Sequence, residues 1–185
     1  LAGYEQLQGK ELSYNNIVDM EAAWDLASEW KDQPACAIIK HTNPCGCALG
    51  ENALDAFKKA FAADSKSAFG GIVAMNRECD KATAEEMKPI FFEVVMAPKF
   101  SKEALEVLET KKNIRLIEVP SLMHEELQLH KVSGGLLIQT PDNSTETRAE
   151  CKVVTDRAPT EEEWKALEFA WVIVKHVKSN AIVLT

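Results

Sequence analysis

A lysine and a histidine stand side by side where an apolar stretch of the sequence ends. The stretch covers residues 35–39, and Lys40 and His41 follow it directly, ahead of Asn43-Pro44 and Cys45-Gly46. A short apolar run predicts a buried strand, and the dipeptides after it predict a tight turn. Such a strand would present an ammonium group and an imidazole at the carboxyl edge of an α/β sheet.

An imidazole beside an ammonium group suits general-base chemistry. Two cations repel each other, so Lys40 disfavours the protonated form of His41. We therefore expect a neutral imidazole near pH 7, which is the form that accepts a proton from a substrate. In the alternative, structural interpretation, Lys40 reaches solvent and a backbone carbonyl satisfies His41. The position at the end of a strand and the nearby Asn43 favour the functional interpretation.

Three further positions are candidates for binding a ligand. Gly70-Gly71 precedes an apolar run, so the pair either forms a turn with positive φ or offers bare backbone amides to a ligand. Glu93 falls inside the apolar stretch 92–97, where a carboxylate needs a partner, either a lysine or an N–H of a ligand. Asn180 follows a helical segment rich in lysine and histidine. It is either a helix cap or an amide at a strand mouth, facing the same edge as His41.

A metal site at this turn is disfavoured by the spacing of its cysteines. Zinc nucleobase deaminases use the patterns H-x-E and P-C-x-x-C. Here Pro44-Cys45-Gly46-Cys47 has one residue too few between the cysteines, and no glutamate follows His41 at the required distance. We predict no metal and interpret Cys45 and Cys47 as packing residues.

Composition limits the class of protein. The chain has 185 residues, is 46% hydrophobic and carries a formal net charge of -8. An acidic chain lacks the basic footprint that nucleic-acid binding requires. No apolar run approaches the roughly 20 residues of a membrane span, and we find no signal peptide. The five cysteines form no disulfide framework, which fits a reducing compartment. We expect a cytoplasmic protein without nucleic-acid or membrane partners.

Helical and strand-like segments alternate along most of the chain. We predict an irregular lead-in over 1–18 and one α/β unit over 19–185. Predicted helices cover 19–30 with Asp19 as N-cap, 52–63, 80–88, 101–111 and 160–177. Predicted strands cover 36–40, 72–75, 92–97, 114–119 and 134–139, with a final strand after Asn180. Residues 120–133 have no assignment, and residues 141–150 read as a polar loop. This alternation predicts a layered α/β fold, a mixed sheet with flanking helices.

Three motifs resemble a known family in their order and spacing. They are Lys-His-Thr-Asn-Pro-Cys-Gly at 40–46, Ser-Ala-Phe-Gly-Gly-Ile-Val-Ala at 67–74 and Lys-Ser-Asn-Ala-Ile-Val at 178–183. Together with the segment at 7–16 they resemble the AICAR transformylase part of the bifunctional purine biosynthesis proteins (AICAR formyltransferase/IMP cyclohydrolase), in its bacterial type. Motifs in register over nearly the whole chain are far more specific than a single glycine pair.

The resemblance implies formyl transfer from 10-formyltetrahydrofolate to the 5-amino group of AICAR, which gives FAICAR in purine biosynthesis. His41 would take the amine proton, and Lys40 would stabilise charge or protonate the departing folate nitrogen. Asn180 would hold the formyl group and Gly70 would contact AICAR. Glu93 stands where the family often has an aspartate. We add Asn43 and Gly71 to this substrate-binding set.

The resemblance also implies a fold and an assembly. The family fold resembles a cytidine-deaminase fold without its zinc. Proteins of the family pair two such units and form a homodimer, with the active sites at the subunit interface. By this resemblance residues 1–185 are the first half of the transformylase domain, so we expect the chain alone to be inactive or nearly so. Two alternatives stay open: a non-catalytic, self-associating half-domain, and a Cys/His metal or redox module.

Overall fold

A computed structural model describes residues 3–119, 127–144 and 146–185. The chain divides into two units, Leu1–Leu122 and Met123–Thr185. We call them the first and the second unit and describe each by itself. Helices and strands alternate along the first unit, which confirms the predicted mixed α/β class.

The described part of the first unit, residues 3–119, contains four helices and a six-stranded sheet. Its strands are β1 (Glu5–Gln8), β2 (Ala35–Lys40), β3 (Asn43–Leu49), β4 (Ile72–Met75), β5 (Val94–Ala97) and β6 (Arg115–Glu118). Its helices are α1 (Tyr14–Ala27), α2 (Ala53–Ala63), α3 (Lys81–Met87) and α4 (Lys102–Leu108).

The sheet is mixed, as predicted. Its strand order is β1-β6-β5-β4-β2-β3. The three strands β4, β5 and β6 run parallel to one another, whereas β2 is antiparallel to both β3 and β4, and β1 is antiparallel to β6. The change of direction between β4 and β2 decides which chain segments meet at each edge of the sheet.

The central strands are buried on both faces. Every residue of β4 and β5 is buried, which explains why these strands read as unbroken apolar runs. On one face, Cys36, Ile38 and Val73 pack in a cluster with residues of α2, α3 and α4. Helix α1 contacts β2 and β4 but contributes no residue to that cluster. The first unit therefore has a helix–sheet–helix layering, with α1 on the other face.

Phe57 of α2 is the centre of an aromatic group in the core. Its ring centroid lies 6.0 Å from that of Phe61 and 5.9 Å from that of Phe92. Phe57 and Phe92 are fully buried. Aromatic rings in contact stabilise the core through their buried apolar area and through the ring–ring interaction itself.

Four predicted helix starts are confirmed by their caps. The side chains of Asn52, Asp80, Ser101 and Thr160 each accept a hydrogen bond from the backbone N–H three residues further on. Each of these caps satisfies one of the otherwise unpaired N–H groups of the first helical turn.

The predicted start of α1 is wrong. The N-cap is Ser13 rather than Asp19, and the side chains of Ser13 and Asn16 form a reciprocal capping box. An Asn instead of Glu or Gln at the third helical position hides this signature in the sequence. The lead-in is also more ordered than predicted, because β1 lies within it. Asp19 lies inside the helix, and its carboxylate accepts a hydrogen bond from the backbone of Thr42.

The second unit contains a hairpin and a helix. Strands β7 (Gln128–Val132) and β8 (Gly135–Gln139) pair antiparallel, a short 3₁₀ turn covers Arg148–Glu150, and α5 covers Glu161–Lys175. The predicted strand at 134–139 is confirmed, whereas the predicted final strand is wrong, because residues 181–185 have no regular structure. Of the unassigned residues, 120–126 lie outside the described part of the chain. Within the described ranges, no helix combines the length and the apolar character that crossing a membrane requires.

Candidate active site

Strand register brings several of the predicted residues to one edge of the sheet. Ile39 of β2 pairs with Ile72 of β4, Ile72 pairs with Val94 of β5, and Val94 pairs with Arg115 of β6. The end of β2 and the segments just before β4 and β5 therefore share an edge. These segments carry Lys40-His41, Gly70-Gly71 and Glu93.

The direction of the strands at this edge differs from the prediction. Lys40 does end β2, but β2 is antiparallel to β4. The edge therefore combines the carboxyl end of one strand with the amino ends of β4, β5 and β6. The sequence suggested the carboxyl edge of an α/β sheet, and hydrophobic pattern alone does not reveal the direction of the neighbouring strands.

His41 lies at the tip of the hairpin between β2 and β3. Lys40 pairs with Asn43, so His41 and Thr42 form a two-residue turn. Both have positive φ values, 54° and 62°, as the type I′ turn of such a hairpin requires. Turns of this type usually contain Asn or Gly, and a β-branched residue is rare there. His41 is exposed to solvent rather than buried in the core.

A carboxylate from α1 reaches this turn. Oδ1 of Asp19 accepts a hydrogen bond from the backbone N–H of Thr42 at 2.7 Å. The hydroxyl of Thr42 donates to the carbonyl oxygen of His41, also at 2.7 Å. Asp19 was expected to cap a helix, so its contact with the turn was not predicted from the sequence.

Lys40 is tied to the loop that contains the glycine pair. Its Nζ donates to the carbonyl oxygen of Phe69 at 2.8 Å. Gly70 has a φ of 73°, which a glycine adopts without strain. The N–H of Gly70 donates to Phe91 and that of Gly71 donates to Ala68. Both N–H groups are engaged, so a ligand would meet other atoms of Gly70 rather than the bare amide expected from the sequence.

Glu93 lies immediately before β5 and has two polar neighbours. Its Oε2 accepts from Nδ2 of Asn16 at 2.8 Å and lies 3.8 Å from Nη1 of Arg115. The Arg115 side chain is only 13% exposed, and its guanidinium donates to the carbonyl oxygens of Lys10 and Glu11. The sequence suggested a lysine or a ligand N–H as the partner of Glu93, but Asn16 and Arg115 are its neighbours, and neither was predicted.

Two aromatic side chains stand beside the glycine loop. Phe69 is 60% and Phe91 46% exposed, and their ring centroids lie 5.2 Å apart. A Cβ added to Gly70 would lie 3.5 Å from the ring of Phe91. The edge therefore combines an ammonium group, an imidazole and a carboxylate with an apolar surface formed by Phe69 and Phe91. This apolar surface was not predicted from the sequence.

Comparison with known proteins places the chain in a family. A sequence model of the AICARFT/IMPCHase bienzyme family matches residues 1–185. The chain belongs to this family. A protein of Neisseria gonorrhoeae named "Bifunctional purine biosynthesis protein PurH" is 54% identical over 185 residues, which cover 99% of this chain and 35% of that protein. A protein of the same name from Clostridium acetobutylicum is 52% identical over 184 residues, covering 100% of this chain and 36% of its own length.

The family membership inferred from the three motifs is thus confirmed. The chain spans about a third of the length of the curated relatives that it matches. Among solved structures, Acinetobacter baumannii RibD, form 1, aligns with a TM-score of 0.41 and 15% identity over 58% of this chain and 34% of that chain. A likeness at that level carries no argument about function.

Asn43 and Asn180 belong to different units of the chain. Asn43 begins β3, directly across the hairpin from Lys40. Asn180 belongs to the second unit, where it is exposed and its Oδ1 accepts a hydrogen bond from Oγ of Ser179 at 2.9 Å. The predicted role of Asn180 beside His41 stays a prediction.

The cysteines that follow His41 are poorly suited to bind a metal. Burial raises the pKa of the Cys47 thiol to about 12, and burial is also the main reason that the pKa of Cys45 is raised. Sγ of Cys45 lies 3.3 Å from the carbonyl oxygen of Ile38. Metal coordination requires the thiolate, which both environments disfavour. Among the described residues, no group of three or more His, Cys, Asp or Glu side chains is arranged to hold a metal ion.

Proposed function

We propose that this chain carries part of the formyltransferase site of its family. The reaction moves the formyl group of 10-formyltetrahydrofolate to the 5-amino group of AICAR and gives FAICAR, in purine biosynthesis. The observation that carries the proposal is the strand register, which gathers Lys40, His41, Gly70 and Glu93 at one sheet edge in a chain that matches the family along its whole length.

His41 acts as the general base in this proposal. The amine of AICAR is conjugated to its ring and carboxamide, so it attacks a formyl carbon only if it loses a proton during the attack. An exposed imidazole at the tip of a hairpin is accessible to a substrate. A positioned base of this kind contributes about 10²–10⁴ in rate.

Lys40 serves the other half of the reaction. A carbon–nitrogen bond forms between the amine and the formyl carbon, and the bond from that carbon to N10 of the folate breaks. The attacking amine releases one proton and the departing N10 gains one, and the ammonium group of Lys40 supplies this proton or stabilises the negative oxygen of the intermediate. The hydrogen bond from Nζ to the carbonyl of Phe69 holds the ammonium group beside Gly70.

Glu93 and the asparagines hold the substrates. Asn16 and Arg115 contact Oε2 of Glu93, and we assign Oε1 to an N–H group of AICAR. Asn43 and Gly71 belong to the same binding set. Asn180 holds the formyl oxygen as it becomes negative, a contact that contributes about 3 kcal/mol in other acyl transfers. Formyl transfer by these groups uses the reduced folate as co-substrate and requires no metal.

The chain alone is proposed to be inactive or nearly so, because it spans 35% of the relatives' length. The first test is a folate absorbance assay on the purified chain with AICAR and 10-formyltetrahydrofolate. A second arm uses a chimera in which these 185 residues replace the matching segment of the Neisseria gonorrhoeae relative. We expect turnover by the chimera only. Turnover by the isolated chain at the rate of the chimera would contradict the proposed incompleteness.

The second candidate function is a non-catalytic, self-associating half-domain. The exposed apolar hairpin of the second unit favours it, since Leu129, Leu136 and Ile138 share one face of β7–β8 and are all more than half exposed. Calorimetric titration with AICAR and sedimentation of the free chain separate the candidates. Binding of AICAR supports a substrate site, whereas concentration-dependent association without binding supports the half-domain.

The remaining assignments follow from the proposed reaction. The partners are AICAR, a reduced folate and a second copy of the complete protein, and the location is the cytoplasm, where free thiols such as Cys36 and Cys79 remain reduced. The IMP cyclohydrolase activity of the bifunctional family is assigned to residues outside this chain.

A further inference from the structure

The turn that carries His41 has a conformation that its own residues disfavour. His41 and Thr42 both have positive φ, and left-handed backbone is rare for residues other than glycine and asparagine, above all for β-branched residues. Strained backbone of this kind persists only where the surrounding structure imposes it. His41 is exposed, so burial of its side chain does not fix the turn.

Asp19 of helix α1 contacts the His41–Thr42 turn. Its carboxylate accepts the N–H of Thr42 at 2.7 Å, a length typical of strong hydrogen bonds to a charged acceptor. Asp19 is half-buried in α1, one residue before the fully buried Met20. The packing of the helix against the sheet therefore holds the carboxylate beside the turn.

We infer that Asp19 is a positioning residue that holds the His41–Thr42 turn in its left-handed conformation and so sets the position of the imidazole. Asp19 acts on the backbone of the turn, without touching a substrate. Its importance for catalysis rests on the proposed function, whereas its control of the turn does not.

The inference is tested by NMR on the isotope-labelled chain. The Cα and Cβ shifts of His41 and Thr42, with their HN–Hα couplings, report φ directly. Asp19→Ala removes the acceptor, and Asp19→Asn keeps the shape and an amide oxygen but removes the charge. Glu21→Ala is the matched control, because it removes an exposed carboxylate from the same helix. Thr42→Gly, combined with Asp19→Ala, supplies a residue that adopts positive φ without strain.

In Asp19→Ala we expect both turn residues to leave positive φ and the Thr42 amide hydrogen to exchange about ten- to a hundredfold faster, the factor expected for losing a hydrogen bond to a charged group. Asp19→Asn should fall between wild type and Asp19→Ala, and Glu21→Ala should match wild type. Addition of Thr42→Gly should restore the signals of His41 although the carboxylate is absent. A merely structural role for Asp19 predicts no such rescue.

Unchanged His41 and Thr42 signals in a folded Asp19→Ala chain would overturn the inference. If Asp19→Ala does not fold, the comparison of Asp19→Asn with wild type decides, and an unaltered exchange rate at Thr42 overturns it equally. The outcome is independent of formyl transfer. A turn that responds as expected in a chain whose His41 proves dispensable for catalysis would leave the positioning role intact and remove the proposed function.

Discussion

The two units of this chain use their apolar residues in opposite ways. In the first unit the central strands are buried between α1 and the helices α2, α3 and α4. In the described part of the second unit, residues 127–144 and 146–185, Ile173 is the one buried residue. The first unit is held together by apolar burial, which is the dominant favourable term in folding.

Exposed polar contacts join residues of the second unit. Arg148 pairs with Glu161, and Arg157 pairs with Glu163, each at 2.7 Å, while the guanidinium of Arg148 lies 4.8 Å from the ring centre of Trp164. Exposed ion pairs contribute little stability and are screened by salt.

The residues of the proposed site are divided between the two units. Of the six that belong to the first unit, five are at least partly buried: Lys40, Asn43, Gly70, Gly71 and Glu93. Asn180 belongs to the second unit, where it is exposed.

The largest expected difference between the units is in thiol reactivity. Cys36 and Cys79 of the first unit are buried, and Cys151 of the second is exposed. Burial raises the pKa of Cys79 to about 12, which further suppresses its thiolate. We expect alkylation at pH 8 to modify Cys151 at least about a thousandfold faster than the two buried thiols, because these react only after opening of the core. Mass spectrometry of timed samples measures the order, and similar rates at all three would contradict the contrast.

Removal of one core ring should destabilise the first unit strongly. Phe57→Ala deletes the aromatic group that contacts Phe61 and Phe92, and we expect a loss of about 3–5 kcal/mol in the free energy of unfolding. The matched control is Leu129→Ala in β7, where the side chain is 62% exposed, and its expected effect is within about 0.5 kcal/mol. Urea denaturation followed by tryptophan fluorescence gives both values. Equal losses would mean that the hairpin is as well packed as the core.

The smallest effect concerns the pH dependence of α5. Hydrogen bonds from Arg157 and from the backbone N–H of Thr160 lower the pKa of Glu163 from 4.5 to about 2. The folded state therefore favours the charged carboxylate, so the contribution of this contact is complete above the unfolded value and is lost as the pH falls through about 2. NMR titration of the carboxyl carbon measures the pKa, and Arg157→Gln should return it towards 4.5. A wild-type value near 4.5 would show that the ion pair does not form.

The sequence predicted the helices and the central strands of the first unit for a physical reason, but not β1, which lies in the predicted lead-in, or β3, which contains the predicted turn dipeptides. Asn52, Asp80 and Ser101 are residues whose side chains cap helices locally, so their effect is legible without tertiary structure. The central strands could also be predicted, because strands that are buried on both faces read as continuous apolar runs. The start of α1 was missed because Asn16 stands where a capping box usually has Glu or Gln.

The site was predictable only in part. The types of Lys40, His41 and Glu93 indicated chemistry, but their proximity depends on strand order and register, which are set by long-range pairing. The contacts of Asp19 and Arg115 join residues 23 and 104–105 positions apart in the chain. The strained turn was also hidden, because His-Thr does not belong to the residues that usually form it.

The role proposed for His41 can be tested by one kinetic measurement. In the chimera with the Neisseria gonorrhoeae relative, His41→Gln removes the base and keeps a side chain of similar size, with Glu21→Gln as control. We predict that kcat for formyl transfer to AICAR falls by about 10²–10⁴ in His41→Gln and is unchanged in the control. A His41→Gln chimera that turns over at the wild-type rate would contradict the account.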